Sequence, residues 1–188
     1  ARLFEARGAP DQAIQHYLKA ELFEDAARTI KTIAKVTFDA GHWMTLAKWI
    51  DALRPEMLEE HPDLLVWRAR IYGETGDLNR ALELYSHTLA IFEKQGNLDG
   101  IGKILIKQAQ CWRAQGRYEE AIDNCRRALA MLSDDAKEDI AEAHRLLGVS
   151  YGRLGNWEKC IDELASALSF FEALNDWARI AWLHHDLG

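Results

Sequence analysis

One phrase recurs along this chain at an almost constant interval, and a chain that repeats itself builds its core from stacked copies of one unit rather than around one centre. Aligned on glycine, the copies are "GAPDQAIQHYLKA" from Gly8, "GDLNRALELYSHTLA" from Gly76, "GRYEEAIDNCRRALA" from Gly116 and "GNWEKCIDELASALS" from Gly155. Five residues after each glycine stands a small residue: Ala13, Ala81, Ala121 and Cys160. Four further on come Tyr17, Tyr85, Cys125 and Leu164, and three beyond those Ala20, Ala128 and Ala167, with Thr88 as the departure.

The residues before the glycine repeat as well. Ala69, Ala109 and Gly148 lie seven before the last three glycines, and Tyr72, Trp112 and Tyr151 lie four before. Spacings of three and four put these residues on one face of a helix. Each unit therefore reads as two helices, A and B. The glycine between them supplies the left-handed residue that ends helix A, and the small residues let the paired helices approach closely. The expected fold is all-α, an α-solenoid of antiparallel helix pairs.

On these residues the sequence resembles the tetratricopeptide repeat (TPR) family, which implies a right-handed superhelix of A and B helices. The period departs from the usual 34 residues: Gly76 to Gly116 is 40 residues and Gly116 to Gly155 is 39. The extra length falls in the helices and in the polar connections "KQGNLDG", "LSDDAKED" and "ALNDWA", whose Asn and Asp residues are available as N-caps. The expected organisation is one solenoid segment over 1–188. Residues 1–61 form irregular helical hairpins, extended units cover 62–97, 98–136 and 137–175, and 176–188 begin a further helix A. With no capping repeat at either end, the chain reads as a segment of a longer protein.

The stretch "WIDALRPEMLEEHPDLLVWRARIYGETGD" carries a second resemblance. Through Trp49, Leu53, Pro55, Leu58, His61, Pro62 and Leu65 it is similar to the repeat region of MalT-like, LuxR-type transcriptional regulators. Those are STAND signal-transduction ATPases with a nucleotide-binding core, a winged-helix linker, a TPR sensor array and a DNA-binding domain. The resemblance implies a bacterial, cytoplasmic sensor segment coupled to ATPase-core assembly, with the ATPase and DNA-binding domains as neighbours in the same chain. Several of the matches also serve as helix punctuation. Pro62 suits a first helical turn, and Pro55 stops the preceding helix.

Composition removes other classes of function. A net charge of −7 and the lack of a basic block argue against direct nucleic-acid binding, and no apolar run approaches the roughly 20 residues of a membrane span. Cys111, Cys125 and Cys160 are widely spaced, without CxxC, and read as buried thiols. "DGIGKI" has the wrong spacing for a phosphate loop, and neither HExxH nor GxSxG occurs. Adjacent His184 and His185 point about 100° apart on a helix and make a poor metal pair. No enzyme activity, metal or cofactor is expected.

Function in such a fold resides in the concave surface lined mainly by A helices. The residues expected to line it are Asp63, Val66 and Arg70, then Lys103, Ile106, Gln110 and Arg113, then Glu142, Arg145 and Val149, and finally Trp182 and His185. Asp63, Arg70, Lys103, Gln110, Arg113, Glu142, Arg145, Trp182 and His185 are the candidate contacts to a protein, a peptide or a small-molecule effector. The arginines match carboxylate or phosphate groups; equally, they would serve inter-repeat ion pairs. The alternative reading is a peptide-binding scaffold or adaptor for protein complexes, and truncated ends would favour self-association. Of the seven tryptophans, Trp43, Trp49, Trp112 and Trp157 are expected in the core, while Trp67, Trp177 and Trp182 are left open between packing and groove.

Overall fold

In the computed structural model, Phe4 and residues 9–187 are described, with side chains through Leu183. The described residues form helices and no strand: α1 Pro10–Lys19, α2 Phe23–Asp39, α3 Trp43–Asp51, α4 Pro55–Glu60, α5 Pro62–Glu74, α6 Leu78–Gln95, α7 Leu98–Ala114, α8 Tyr118–Met131, α9 Lys137–Arg153, α10 Trp157–Ala173 and α11 Trp177–Leu187. The chain divides into two compact units, 1–88 and 89–188.

The turns repeat with the sequence. Gly76, Gly116 and Gly155 have φ between 76° and 85°, the left-handed region that glycine enters without a Cβ penalty. Gly116 donates its N–H to the Arg113 carbonyl, and Arg117 donates to the carbonyl of Trp112 at 2.9 Å. Asp77 and Asn156 make the same longer bond to Tyr72 and Tyr151, so each pre-glycine aromatic accepts the bond that closes helix A. A cation at or just before the start of the following helix then covers each ring: Arg80 over Tyr72, Arg117 over Trp112 and Lys159 over Tyr151. Glu21 and Asn175 take the left-handed conformation at the turns that lack glycine. Gly8 lies outside the described residues.

In unit 1–88, α1, α2, α3 and α5 pack around Ile14, Tyr17, Ile30, Phe38, Leu46, Trp49, Ile50, Leu64 and Ile71. The small positions Ala13, Ala69 and Ala81 are fully buried. Thr88 takes an alanine position fully buried, with its hydroxyl satisfied by donating to the Leu84 carbonyl at 2.8 Å. Pro62 is the first residue of α5 and Pro55 opens the short helix α4.

In unit 89–188, α7 pairs with α8 and α9 with α10, while α9 also packs on α7 and α8. Ala109, Ala121, Ala128 and Ala167 are fully buried. A Cβ at Gly148 would stand 2.6 Å from Leu164 and 3.1 Å from the Cys160 carbonyl, so the A–B approach there requires glycine. Asn97 and Asn156 cap α7 and α10. The connection "LSDDAKED" departs from the expectation of an Asn or Asp cap: α9 starts after Ala136 with no side-chain cap. The interhelical tie is made by Asp99 instead. Its carboxylate accepts the Ser133 N–H at 2.8 Å and the Ser133 hydroxyl at 3.1 Å, which holds Asp99 below its ordinary pKa.

Candidate functional site

The face shared by α7 and α9 carries five of the candidate residues. Gln110 Nε2 donates to Glu142 Oε1 at 2.8 Å, linking one unit to the next. Arg145 donates to both oxygens of Glu142 at 2.8 and 2.9 Å. Burial opposes ionisation of Glu142, but the Arg145 hydrogen bonds and charge, with the Gln110 amide, hold its carboxyl below the ordinary range. Lys103 Nζ lies 3.8 Å from Asp139. Ile106, expected in the lining, is instead packed in the core at 2% exposure, because its position on α7 turns toward the neighbouring helices.

Arg113 differs from the other cations on this face. It follows Gln110 by three residues and so shares its side of α7. Its Nε is buried and meets no hydrogen-bond acceptor. A buried guanidinium N–H without an acceptor carries a desolvation cost of about 1–3 kcal/mol that an arriving oxygen would relieve.

In unit 1–88 the two candidates are occupied. Asp63 pairs with Lys31 of α2. The Arg70 guanidinium lies over both Phe38 and Trp67, 4.2 and 4.4 Å from their ring centroids, and burial pushes it below its ordinary pKa. Trp67, left open by the sequence, packs against the α2–α3 core.

Trp182 on α11 is 69% exposed, and His185 lies outside the residues whose side chains are described. Trp157, expected in the core, is 67% exposed. Trp157 holds a recurring position of the unit, but it is the first residue of helix B after the Asn156 cap, and there its ring stands in solvent. Val149, Gly152, Arg153, Trp157, Cys160 and Leu164 border a hollow of about 370 Å³.

All three cysteines are buried free thiols. Burial pushes Cys111 up to about 11 and Cys125 to about 12, which disfavours the thiolate a nucleophile or metal ligand needs. Glu24, Glu60 and His61 bring ligand atoms within 4.8 Å of one another on an exposed edge, where His61 Nε2 lies 3.1 Å from Glu24. Among the described residues no helix is long and apolar enough to cross a membrane.

With this geometry in view, the family whose pattern matches residues 61–134 is the tetratricopeptide repeat. The tetratricopeptide repeat protein 36 homolog of Drosophila melanogaster is 32% identical over 111 residues, covering 55% of this chain and 56% of that protein, so the chain matches little more than half of its curated relative. The structure of BtubC (BKLC) from P. vanneervenii superposes with a TM-score of 0.72 at 16% identity, covering 99% of this chain and 80% of the other. YrrB, described as a TPR protein with an unusual peptide-binding site, superposes with a TM-score of 0.63 at 18% identity, covering 90% and 81%. At these identities the two structures establish the TPR-like solenoid fold alone.

Sequence reasoning passed over Lys48, Arg68 and Arg80, which border one cleft in unit 1–88 with Tyr72, the two arginines lying over its ring. Arg68 and Tyr72 are i and i+4 on α5, a spacing visible in the sequence. Nothing in the sequence placed Lys48 of α3 beside them.

Proposed function

We propose that this chain is a protein-interaction array that receives a partner or effector on the α7–α9 face, with Arg113 binding a carboxylate or phosphate oxygen of that ligand. The supporting observation is the buried, unpartnered Arg113 Nε, since the neighbouring cations Arg145 and Lys103 already face carboxylates. Binding by repeats rather than catalysis agrees with the tetratricopeptide match and with the peptide-binding description of YrrB. The finer reading, on the resemblance through Trp49 to Leu65, is a sensor segment of a STAND-type transcriptional regulator. An occupied face would there bias an ATPase core between resting and assembled states.

The test of the site is a thermal-shift screen of the chain with sugars, nucleotides and short peptides bearing free or amidated C-termini, repeated with Arg113→Ala. A ligand carrying a carboxylate or phosphate is expected to raise the Tm of the parent chain and to lose that effect in the variant. A hit that stabilises both chains equally would remove Arg113 from the site. The regulator context is tested by the flanking coding sequence. A phosphate-loop motif upstream and a helix-turn-helix downstream are expected; a reading frame with neither leaves the interaction array alone.

A further inference from the structure

Unit 1–88 contains an open cleft of about 400 Å³ between α3, α5 and the start of α6, bordered by Met44, Ala47, Lys48, Asp51, Arg68, Ile71, Tyr72, Thr75 and Arg80. Its size fits one or two amino-acid side chains. Ala47 and Ile71 form an apolar floor, at 4% and 2% exposure. Tyr72 forms an aromatic wall, with the Arg68 guanidinium 4.1 Å and that of Arg80 5.6 Å from its ring centroid. Met44 is exposed at the rim.

The cleft is cationic in a chain whose net charge is −7. Three cations, Lys48, Arg68 and Arg80, face one carboxylate among the bordering residues, Asp51. Arg68 holds Asp51 through two hydrogen bonds at 2.8 and 3.0 Å and also donates to the Tyr72 hydroxyl, which fixes the wall. Arg80 makes only a loose, exposed contact with Asp77 at 3.4 Å, and Lys48 is exposed. Two cations are thus available to an incoming anion.

Repeat structure does not require this pairing. Forty residues on, the positions of Arg68 and Arg80 hold Gln108 and Glu120, and thirty-nine further on they hold Leu147 and Lys159, while the aromatic persists as Trp112 and Tyr151. The aromatic is the conserved element of the unit's architecture within this chain. Two arginines over one ring are particular to this unit; Trp112 carries Arg117, and Tyr151 carries Lys159 with Arg126.

From the charge, the apolar floor and the aromatic wall we infer that this cleft binds an acidic peptide segment of a partner protein, one apolar side chain lying on Ala47 and Ile71 and its neighbouring carboxylate meeting Lys48 and Arg80. Charge complementarity of this kind selects the partner and speeds association more than it adds affinity, so binding will weaken with salt. The inference stands apart from the role given to Arg113, which belongs to the other unit.

The experiment is selection of a displayed library of random short peptides on the chain, followed by fluorescence-anisotropy titration of the selected peptides. The parent is compared with the Lys48→Glu/Arg80→Glu variant and with Lys19→Glu/Lys35→Glu, an equal change of net charge at exposed positions away from the cleft. Selected peptides should carry Asp or Glu beside an apolar residue, bind the cleft variant at least about tenfold more weakly, and bind the control variant as they bind the parent. Circular dichroism melts, expected to match the parent because both positions are exposed, separate lost binding from lost folding. Failure to select any peptide, peptides without acidic residues, or equal affinity for the parent and the cleft variant would each overturn the inference.

Discussion

Arg145 grips both carboxylate oxygens of Glu142, at 2.8 and 2.9 Å, and the two side chains are only 18% and 17% exposed. Gln110 of the preceding unit bonds the same carboxylate. This arrangement gives Arg145 an inter-repeat structural task. Arg145→Ala strands a largely buried carboxylate and should cost about 2–4 kcal/mol of unfolding free energy. Denaturant unfolding measures it, and a loss below roughly 0.5 kcal/mol would show that the pair is merely a surface contact.

The same carboxylate sets a pH dependence. Glu142 is held below its ordinary value of 4.5 against the opposing effect of burial. A folded pKa below the unfolded one contributes stability that is present above the unfolded value and lost as pH falls through the folded value. Asp139 has the opposite sign: burial raises it from 3.8, so its contribution is full at low pH and is lost as pH rises through the folded value. Glu142→Gln should therefore flatten the acid side of a Tm profile below about pH 4.5. Asp139→Asn should raise Tm at neutral pH, and an unchanged acid slope in Glu142→Gln would contradict the assignment.

Two glycines should fail for different reasons. Gly148→Ala forces Leu164 and the α10 backbone away, an overpacking cost of about 1–3 kcal/mol. Gly116→Ala meets no atom within 4 Å but must hold φ near +76°, a strain of about 1 kcal/mol. Shrinking the facing side chain, through Leu164→Ala, should make Gly148→Ala cost less in that background than in the parent, and should leave the cost of Gly116→Ala unchanged. Equilibrium unfolding of the single and double variants checks this.

Tryptophan placement gives a direct contrast. Trp157→Ala should change stability by no more than about 0.5 kcal/mol, since the ring is mostly in solvent. Trp49→Ala, at 5% exposure in the unit 1–88 core, should cost about 3–5 kcal/mol. Similar losses at the two positions, read from chemical denaturation, would contradict the burial difference.

Much of the architecture was legible because a repeat states its rules several times. Gly76, Gly116 and Gly155 adopt the expected left-handed conformation, and Ala69, Ala109, Ala121 and Ala128 are buried at the helix contacts. The lining of the α7–α9 face was less legible. Helical phase separates the side of a helix facing inward from the side facing outward, but it does not say which inward cation finds a carboxylate. Arg145 stands three residues from Glu142 on the same helix and takes it, a spacing visible in the sequence, whereas three residues before Arg113 stands Gln110, which reaches across to Glu142 instead. Trp157 occupies a repeat-defining position, yet its ring stands at the start of helix B, where it is open to solvent.

The sequence by itself determined the helices, the left-handed turns and the likeness of residues 61–134 to the tetratricopeptide repeat, because all of these depend on local spacing and backbone conformation. Tertiary structure decided how the charges are allocated. Side chains far apart in the chain meet within a few ångströms, which carried Gln110 to Glu142 and set Lys48 of α3 in one cleft with Arg68, Tyr72 and Arg80, while Arg113 Nε was left without an acceptor.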